Sequence, residues 1–331
     1  MLGQQDKGAA ESEMTKEDYV VVIGGANVDI GGTPYNELIP EDSNPGRITV
    51  TFGGVGRNIA HNLANLGVNT KLITAVGNDP FGTEILNYCE KYGIDTEHSI
   101  KVDNVRSSLY MYINDKEGEM KLALSDMEIC SHITPEYIDD CADIIKNSSA
   151  LVADCNLTHE TLMHIKEECS VPIFIDTVSV NKSPKIKNNL SGIYSIKPNI
   201  IEAEYLTDIK IKNSEDCAAA AMKLIDQGVE KVFISMDKDG ILAADKDKIY
   251  VTENYDAEPV CTTGAGDSST AAIVWAYLLN HDEDYLVTAS KASNAAAAMT
   301  IEVQESINND ITPELLLHRM NGSGVNIDII K

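Results

Sequence analysis

The stretch YVVVIGG at residues 19–25 decides the fold, because an apolar β-branched run closed by glycines is typical of a buried strand in a parallel sheet. Similar runs recur along the chain, and most of them are separated by stretches with helical apolar spacing. They begin at Leu72, Ala150, Pro172, Ile193 and Lys231. This alternation predicts an α/β fold with a doubly wound, mostly parallel sheet that is flanked by helices.

Two segments break the alternation because they are extended and have no helix between their strands. Residues 33–52 contain GRITVTF, and residues 107–126 contain two strand-like runs around the turn residues 116–118. We expect these segments to form a small β-sheet that acts as a lid. Since no linker or repeat divides the chain, residues 19–331 are interpreted as one domain. Residues 1–18 are polar and are predicted to be a disordered tail.

The charge balance limits the classes of partner. The 331 residues include 26 basic and 52 acidic side chains, which gives a net charge of −26. This negative net charge disfavours binding to nucleic acids. It does not exclude small phosphorylated ligands, since backbone N–H groups can bind phosphate. No run is long and apolar enough for a membrane span, and the seven cysteines form no C-x-x-C pair. We therefore expect a soluble cytoplasmic protein with reduced thiols.

The strongest indication of chemistry is TTGAGDSSTAAIVWAYLL at residues 262–279. Gly264 and Gly266 permit a tight turn before a helix, so that free N–H groups at the helix N-terminus would converge on an anion. Asp267 would lie in the first helical turn, where its carboxylate could accept a proton from a hydroxyl group that attacks a phosphoryl group. An ordinary glycine turn with a helix-stabilising aspartate has the same pattern, and the motif alone does not separate the two.

A second glycine-rich segment, FGGVGRNIAHNLANLG at residues 52–67, suits a polyhydroxylated ligand. Gly53 and Gly54 allow close approach of a ligand to the backbone, and Arg57 and Asn58 supply hydrogen-bond donors at the start of a helix. The alternative interpretation is a simple strand-to-helix turn followed by a packing helix.

A third segment, GGANVDIGG at residues 24–32, places Asn27 and Asp29 just after the first strand, where open α/β sheets usually bind ligands. The carboxylate of Asp29 can accept hydrogen bonds from two sugar hydroxyl groups. The pattern does not favour dinucleotide binding, because its spacing is not G-x-G-x-x-G and no helix follows directly.

Taken together, these motifs resemble those of the ribokinase-type (PfkB) carbohydrate and nucleoside kinases, and the resemblance extends from residue 19 to about residue 312. It implies a ribokinase-like fold with Asp267 as the catalytic base and the backbone of Gly264, Ala265 and Gly266 as the anion hole. It also implies that a set of residues near the start of the chain binds the substrate. This set comprises Asn27, Asp29, Gly53, Gly54, Arg57 and Asn58.

The same resemblance implies that ATP and Mg²⁺ are the cofactors. The segment KPNIIEAEYL matches the N-x-x-E motif of the family, so Glu202 is expected to hold Mg²⁺ through water. For Lys182 the expected role is to neutralise phosphate charge, and the alternative is a solvated surface lysine. The expected nucleotide-binding residues are Lys182, Asn199, Ser235, Gly240 and Asn294.

Within the family the chain is most similar to the pseudouridine kinases. The similar stretches are GGANVD, DSNPG (residues 42–46), GGVGRNIA, ADCN (153–156) and DTVSVNK (176–182). The similarity implies ATP-dependent phosphorylation of the 5′-hydroxyl group of pseudouridine, with Ser107, Tyr112 and Asp126 as candidates for reading the base. The alternatives are a kinase for another ribose-like sugar or nucleoside and, in a different class, a non-catalytic sugar- or nucleotide-binding regulator.

Two positions depart from the pattern of the family. Cys261 stands where many members have an aspartate that helps to bind an activating monovalent cation, and a neutral thiol is a poor ligand for K⁺, so K⁺ activation is not expected. Asp237 replaces the first glycine of the usual nucleotide-binding turn. The resembling kinases often pair through their lids, and an exposed sheet edge favours such pairing, so we expect a homodimer formed through the lid.

Overall fold

The structure is a computed structural model that describes residues 18–279, 285–322 and 326–329. The predicted tail therefore lies outside the described residues except for Asp18. The strands are, in chain order, β1 (Val20–Ile23), β2 (Asn27–Pro34), β3 (Gly46–Gly53), β4 (Thr70–Ile73), β5 (Ala75–Gly77), β6 (Ile100–Val102), β7 (Leu109–Asn114), β8 (Met120–Asp126), β9 (Ala150–Asp154), β10 (Ile173–Asp176), β11 (Ser195–Ile196), β12 (Lys231–Ser235), β13 (Ile241–Ala244), β14 (Ile249–Thr252) and β15 (Ile327–Ile329). The helices are α1 (Val55–Asn65), α2 (Pro80–Lys91), α3 (Pro135–Asp140), α4 (Ala142–Lys146), α5 (His159–Glu168), α6 (Ile200–Thr207), α7 (Ser214–Asp226), α8 (Ala265–Leu278), α9 (Tyr285–Ile301) and α10 (Pro313–Gly322).

Nine strands form the main sheet, in the order β15-β14-β13-β12-β11-β10-β9-β1-β4. The strands from β4 to β12 pair in parallel, whereas β13, β14 and β15 are added in antiparallel fashion at one edge. Each apolar run predicted as a sheet strand contributes one of the parallel strands. The prediction of a doubly wound, mostly parallel sheet is therefore confirmed.

Two hydrophobic cores lie on the two faces of this sheet. Strand β1 contributes to both, because Val21 and Ile23 pack into one core while Val20 and Val22 pack into the other. Helices α5 and α7 cover the first face, and the alanine-rich helices α8 and α9 cover the second. No helix in the described ranges is long and apolar enough to cross a membrane.

A second, four-stranded sheet has the order β3-β2-β7-β8, and we call it the small sheet. Strands β3, β7 and β8 lie in the two segments expected to form the lid, apart from Gly53 at the end of β3. Strand β2 begins earlier, at Asn27, and shares only residues 33 and 34 with the first segment. The earlier start follows from pairing, because β2 is hydrogen-bonded to β3 from Asn27 opposite Gly53 to Pro34 opposite Gly46. Asn27 and Asp29 therefore lie on a strand and not in a loop.

The two faces of the small sheet differ in chemistry. On one face Asp29, Thr51, Tyr110 and Ser125 lie directly opposite one another across the four strands, and we call this the polar face. On the other face, the neighbouring set of four opposed residues, one from each strand, is apolar. This set comprises Val50, Ile30, Met111 and Leu124.

Candidate active site

Helix α8 begins at the glycine motif, and its geometry requires Gly264. Gly264 precedes the helix with a φ of +88°, a left-handed conformation that favours glycine, and a Cβ atom there would collide with the carbonyl oxygen of Ser306. No side chain caps the helix, and helical geometry leaves the amide of Gly266 without an intrahelical partner. The amide of Ala265 lies 3.5 Å from the carbonyl oxygen of Thr262. An open N-terminus of this kind is suited to an anion.

The carboxylate of Asp267 lies in the first turn of α8 and contacts α1. The amide nitrogen Nδ2 of Asn58 donates a hydrogen bond of 2.6 Å to its Oδ2 atom. The other amide atom of Asn58, Oδ1, is buried and has no hydrogen-bond partner among the described residues. An unpaired buried acceptor is costly, so this oxygen is well placed to accept a hydrogen bond from a ligand. Two residues predicted from separate motifs thus meet at one point.

The surroundings of Asp267 raise its pKa from 3.8 to about 7. Burial is the largest cause, and the negative charge of Asp176 adds to it. The hydrogen bond from Asn58 and the positive charges of Lys197 and Arg57 oppose the shift. A carboxylate with a pKa near neutrality is suited to accept a proton in general base catalysis.

Lys197 is a site residue that the sequence-based set of candidates lacks. It follows β11, its side chain is buried, and its ammonium nitrogen lies 3.8 Å from the position that a Cβ atom on Gly266 would take. A positive charge therefore lies beside the open N-terminus of α8. The sequence does contain an indication of this position, because the carboxyl ends of parallel strands meet at one edge of the sheet.

Asp176, at the end of β10, is a second site residue without a predicted role. One of its oxygens accepts a hydrogen bond of 2.7 Å from the hydroxyl group of Thr270 on α8, and the other accepts one of 2.9 Å from the amide of Val178. These contacts connect the main sheet to the helix that carries Asp267.

The predicted substrate residues lie where the small sheet meets α1. Asn27 donates a hydrogen bond of 2.6 Å to Asp29, and a Cβ atom on Gly53 would overlap the Asp29 carboxylate. Gly54 has a φ of +98° and packs against the backbone of residues 25 and 26, where a side chain would not fit. Burial raises the pKa of Asp29. Gly53 therefore keeps the space around this carboxylate open, and Gly54 lets the start of α1 pack against residues 25 and 26.

The carboxylate of Asp154, at the end of β9, holds the glycine segments in place. Its Oδ2 atom accepts hydrogen bonds from the amides of Gly25 (2.9 Å) and Gly56 (2.8 Å), and its Oδ1 atom accepts one from the amide of Asn156 (2.8 Å). The sequence motif ADCN contains this residue, but its contacts join segments that are far apart in the chain.

Arg57 has a supporting position in the structure. Its buried guanidinium group donates to the carbonyl oxygens of Phe52 and Gly53, with 3.3 Å between Nε and the Gly53 oxygen, and it lies over the ring of Tyr88. Burial and the charge of Arg57 lower the pKa of His61 to about 3, so this neighbouring ring is neutral. Arg57 thus fixes the end of β3 against α1, and its predicted contact with substrate stays a prediction.

The predicted nucleotide residues Ser235 and Gly240 flank the turn between β12 and β13. Asp237 has a φ of +49° in this turn, so the aspartate adopts the left-handed conformation for which the resembling kinases use glycine. The side chain of Asn254 donates a hydrogen bond of 2.6 Å to the carbonyl oxygen of Asp237. The turn therefore keeps a glycine-like backbone in spite of the substitution.

Asn294 supports the same turn from α9. Its buried side-chain amide donates to the carbonyl oxygens of Thr252 (2.9 Å) and Glu253 (3.0 Å). Gly240 packs against the Thr252 carbonyl group with a φ of +91°. Since the Nδ2 atom of Asn294 is used by these two contacts, the structure gives this residue a role in holding the turn.

Asn199 and Glu202 form the N-terminal cap of α6. Asn199 accepts from the amide of Glu202, whose Oε2 atom accepts in return from the amide of Asn199 and from the hydroxyl group of Thr177. The second oxygen of Glu202, Oε1, makes no hydrogen bond among the described residues, so it is available to a metal ion or its water. In the described ranges no three His, Cys, Asp or Glu side chains cluster around one point. The residues therefore fit a Mg²⁺ ion that takes most of its ligands from phosphate and water.

Lys182 lines a cavity of about 620 Å³ at the end of the small sheet, together with Ser125, Asp126, Met127 and Asn156. No described contact connects Lys182 to the turn between β12 and β13.

Ser107, a candidate for reading the base, does not lie in this cavity. Its buried hydroxyl group donates to Asp79 (2.7 Å) and accepts from the amide of Gly77, so its role is to hold the loop that leads to β7.

The sequence and the fold of this chain are similar to those of known proteins. Residues 17–313 match the pfkB family of carbohydrate kinases. A pseudouridine kinase from Escherichia coli is 38% identical over 266 residues, which cover 78% of this chain and 84% of that protein. The crystal structure of a putative sugar kinase from Clostridium perfringens has a TM-score of 0.82 and 29% identity, covering 95% of this chain and 98% of its own. A ribokinase from Arabidopsis thaliana, complexed with ribose and ATP, has a TM-score of 0.79 at 21% identity and covers 92% and 99% of the two chains.

Proposed function

Because the chain belongs to the pfkB family of carbohydrate kinases and is a sugar or nucleoside kinase, we propose that it transfers the γ-phosphoryl group of ATP to the 5′-hydroxyl group of pseudouridine. The hydrogen bond between Asn58 and Asp267 carries the proposal, because it joins the sugar-binding segment to the catalytic helix. The identity of 38% to a pseudouridine kinase favours this nucleoside over other acceptors.

In the proposed mechanism Asp267 accepts the proton of the 5′-hydroxyl group. The hydroxyl oxygen forms a bond to the γ-phosphorus atom while the bond between that phosphorus and the bridging oxygen of ADP breaks. The open N-terminus of α8 and the ammonium group of Lys197 stabilise the negative charge that develops on the phosphoryl oxygens. Asn27, Asp29 and the free oxygen of Asn58 hold the ribose hydroxyl groups. No covalent enzyme intermediate is required.

A metal site and a lid complete the proposed active site. Glu202 and the phosphates would hold Mg²⁺, which neutralises phosphate charge when it is bound. The small sheet acts as a lid over the substrate and excludes water, which would otherwise compete with the 5′-hydroxyl group.

The proposed substrate can be tested by measuring ADP release with pseudouridine, uridine, ribose and fructose. We expect the highest kcat/KM with pseudouridine. Turnover of ribose or fructose alone would disprove the choice of substrate but not the kinase activity. The same assay with and without K⁺ tests the role of Cys261, and we expect no activation, since a neutral thiol binds K⁺ poorly.

The pKa of Asp267 predicts a pH dependence. Below about pH 7 the carboxyl group is protonated and cannot accept the proton of the substrate, so kcat/KM is expected to fall about tenfold per pH unit towards acid and to level off above pH 7. The measurement is a pH profile of kcat/KM for the nucleoside at saturating ATP. A flat profile between pH 5.5 and 8.5 would contradict Asp267 as the base.

We further propose that the apolar face of the small sheet binds a second copy of this chain. Ile48, Val50, Leu122 and Leu124 on this face are each more than half exposed, with relative exposures of 73%, 57%, 59% and 64%. An exposed apolar patch of this kind is typical of an interface, and the polar face on the opposite side is left free for substrate.

This proposal predicts the effect of a charge on the apolar face. The Leu124→Glu variant is expected to be monomeric in light scattering, because a buried unpaired carboxylate would disfavour the dimer. Leu315→Glu is the matched control, since Leu315 is also an exposed leucine (48%) but lies on α10. A wild-type monomer, or a dimer that survives Leu124→Glu, would contradict the interface.

We place the reaction in the cytoplasm. All seven cysteines are free thiols, which is typical of proteins from a reducing compartment, and ATP is the proposed phosphoryl donor.

A further inference from the structure

The polar face of the small sheet leads from the proposed sugar site to the cavity of about 620 Å³. Asp29 lies opposite Tyr110, and Tyr110 lies opposite Ser125, which lines the cavity. Two strand spacings separate Asp29 from Ser125, a distance of about 10 Å. This distance is comparable to the span of a nucleoside from its ribose hydroxyl groups to the far side of its base.

Gly25 also connects the proposed sugar site to the cavity. A Cβ atom on Gly25 would lie 2.7 Å from the terminal carbon of Met127 and 2.9 Å from the amide nitrogen of Asn156. Both of these side chains line the cavity, and Gly25 is two residues from Asn27. The cavity therefore begins directly beside the residues proposed to hold the ribose.

The cavity contains one lysine that is available to a ligand. The ammonium group of Lys185 is already used, because it donates to the carbonyl oxygens of Cys155 (2.8 Å), Asn156 (3.0 Å) and Leu157 (2.5 Å). The ammonium group of Lys182 makes no hydrogen bond or ion pair within the part of the chain that the structure describes, and its side chain is half-buried. A half-buried ammonium group without a partner is a strong donor for a carbonyl oxygen.

We infer that this cavity binds the nucleobase of the substrate and that Lys182 donates a hydrogen bond to a carbonyl oxygen of a uracil-type ring. The inference rests on the proposed function and goes beyond it by assigning the base-binding residues. The Ser125 hydroxyl group and the Asn156 amide oxygen supply acceptors for ring N–H groups, of which a uracil ring joined through carbon has one more than uridine. Lys182 then contacts the base and not the phosphates of ATP.

The test compares the kinetics of Lys182→Met with those of the wild type, with pseudouridine, uridine, inosine and ribose as acceptors. Loss of a charged hydrogen bond to the base is expected to lower kcat/KM for the nucleoside about 10- to 100-fold and to leave the KM for ATP within twofold. Lys182→Arg, which keeps a charged donor, is expected to recover part of the loss. Lys146→Met, at an exposed lysine of α4, is the control and is expected to match the wild type.

The outcomes separate this inference from the proposed function. A wild-type enzyme that uses pseudouridine and is unaffected by Lys182→Met would overturn the base site and leave the function intact. A rise in the KM for ATP alone would also overturn it and would assign Lys182 to the nucleotide. If the wild type prefers uridine, and Lys182→Met impairs that activity, the base site stands and the proposed substrate is wrong. A preference for inosine would overturn the assignment of a uracil-type ring to the cavity. Turnover of ribose alone would overturn both.

Discussion

Replacement of Asp267 by asparagine is expected to lower kcat about 100- to 10,000-fold, because the variant lacks the carboxylate that we propose accepts the proton of the attacking hydroxyl group. The side chains have nearly the same shape, and the new amide oxygen can still accept the hydrogen bond from Asn58. The KM values for nucleoside and ATP should therefore change only a few-fold. Steady-state kinetics with a coupled assay for ADP measures both quantities.

The control for this variant is Asp216→Asn. Asp216 occupies the first turn of α7, as Asp267 does in α8, and its carboxylate accepts a hydrogen bond of 3.0 Å from the amide of Lys212. The loss of a carboxylate at a helix N-terminus costs about 0.3–1 kcal/mol of stability and no activity. If Asp267→Asn had the same small effect, Asp267 would be a helix-stabilising residue, which is the alternative that the motif alone leaves open.

Replacement of Gly264 by alanine is expected to have the second largest effect, a loss of about 100- to 1,000-fold in kcat. The added Cβ atom would collide with the carbonyl oxygen of Ser306 and would require an unfavourable φ of +88°. The first turn of α8 must shift to accommodate it, which moves the open amides away from the phosphoryl oxygens. We also expect a loss of about 1–3 kcal/mol in the free energy of unfolding.

Gly93→Ala separates the two consequences of the Gly264 change. Gly93 has a φ of +75°, but a Cβ atom there would have nothing within 4 Å. Gly93→Ala is therefore expected to lose roughly 1–2 kcal/mol of stability and to keep its kcat. Chemical denaturation and steady-state kinetics on both variants make the comparison. An unchanged kcat in Gly264→Ala would show that the N-terminus of α8 does not stabilise the transition state.

The main sheet and helix α8 could be predicted from the sequence because their determinants are local. Each parallel strand is a short apolar run such as residues 20–23, and the glycine motif before α8 specifies its own turn. The sequence does not predict strand β15, because its sequence IDI is too short to be recognised and its pairing with β14 depends on a contact between distant segments.

The rest of the site could not be predicted for the same physical reason. Asp154 and Lys197 take their roles from contacts with segments that are distant in sequence, which no single motif contains. Arg57 and Ser107 show the reverse case. Their side chains are good donors for a ligand, but the folded chain uses them for its own backbone and for Asp79. The sequence indicates which hydrogen-bonding groups are present but not which of them already have partners within the folded chain.

The parallel pairing of β2 with β7 has a consequence for synthesis on the ribosome. The hairpins β2–β3 and β7–β8 can each form locally, but the small sheet is complete only after residue 126 has emerged, because β2 must pair with β7. Such non-local pairing forms slowly. Asp267 follows much later still, so a nascent chain carries the residues proposed to bind the sugar long before it carries the proposed catalytic base.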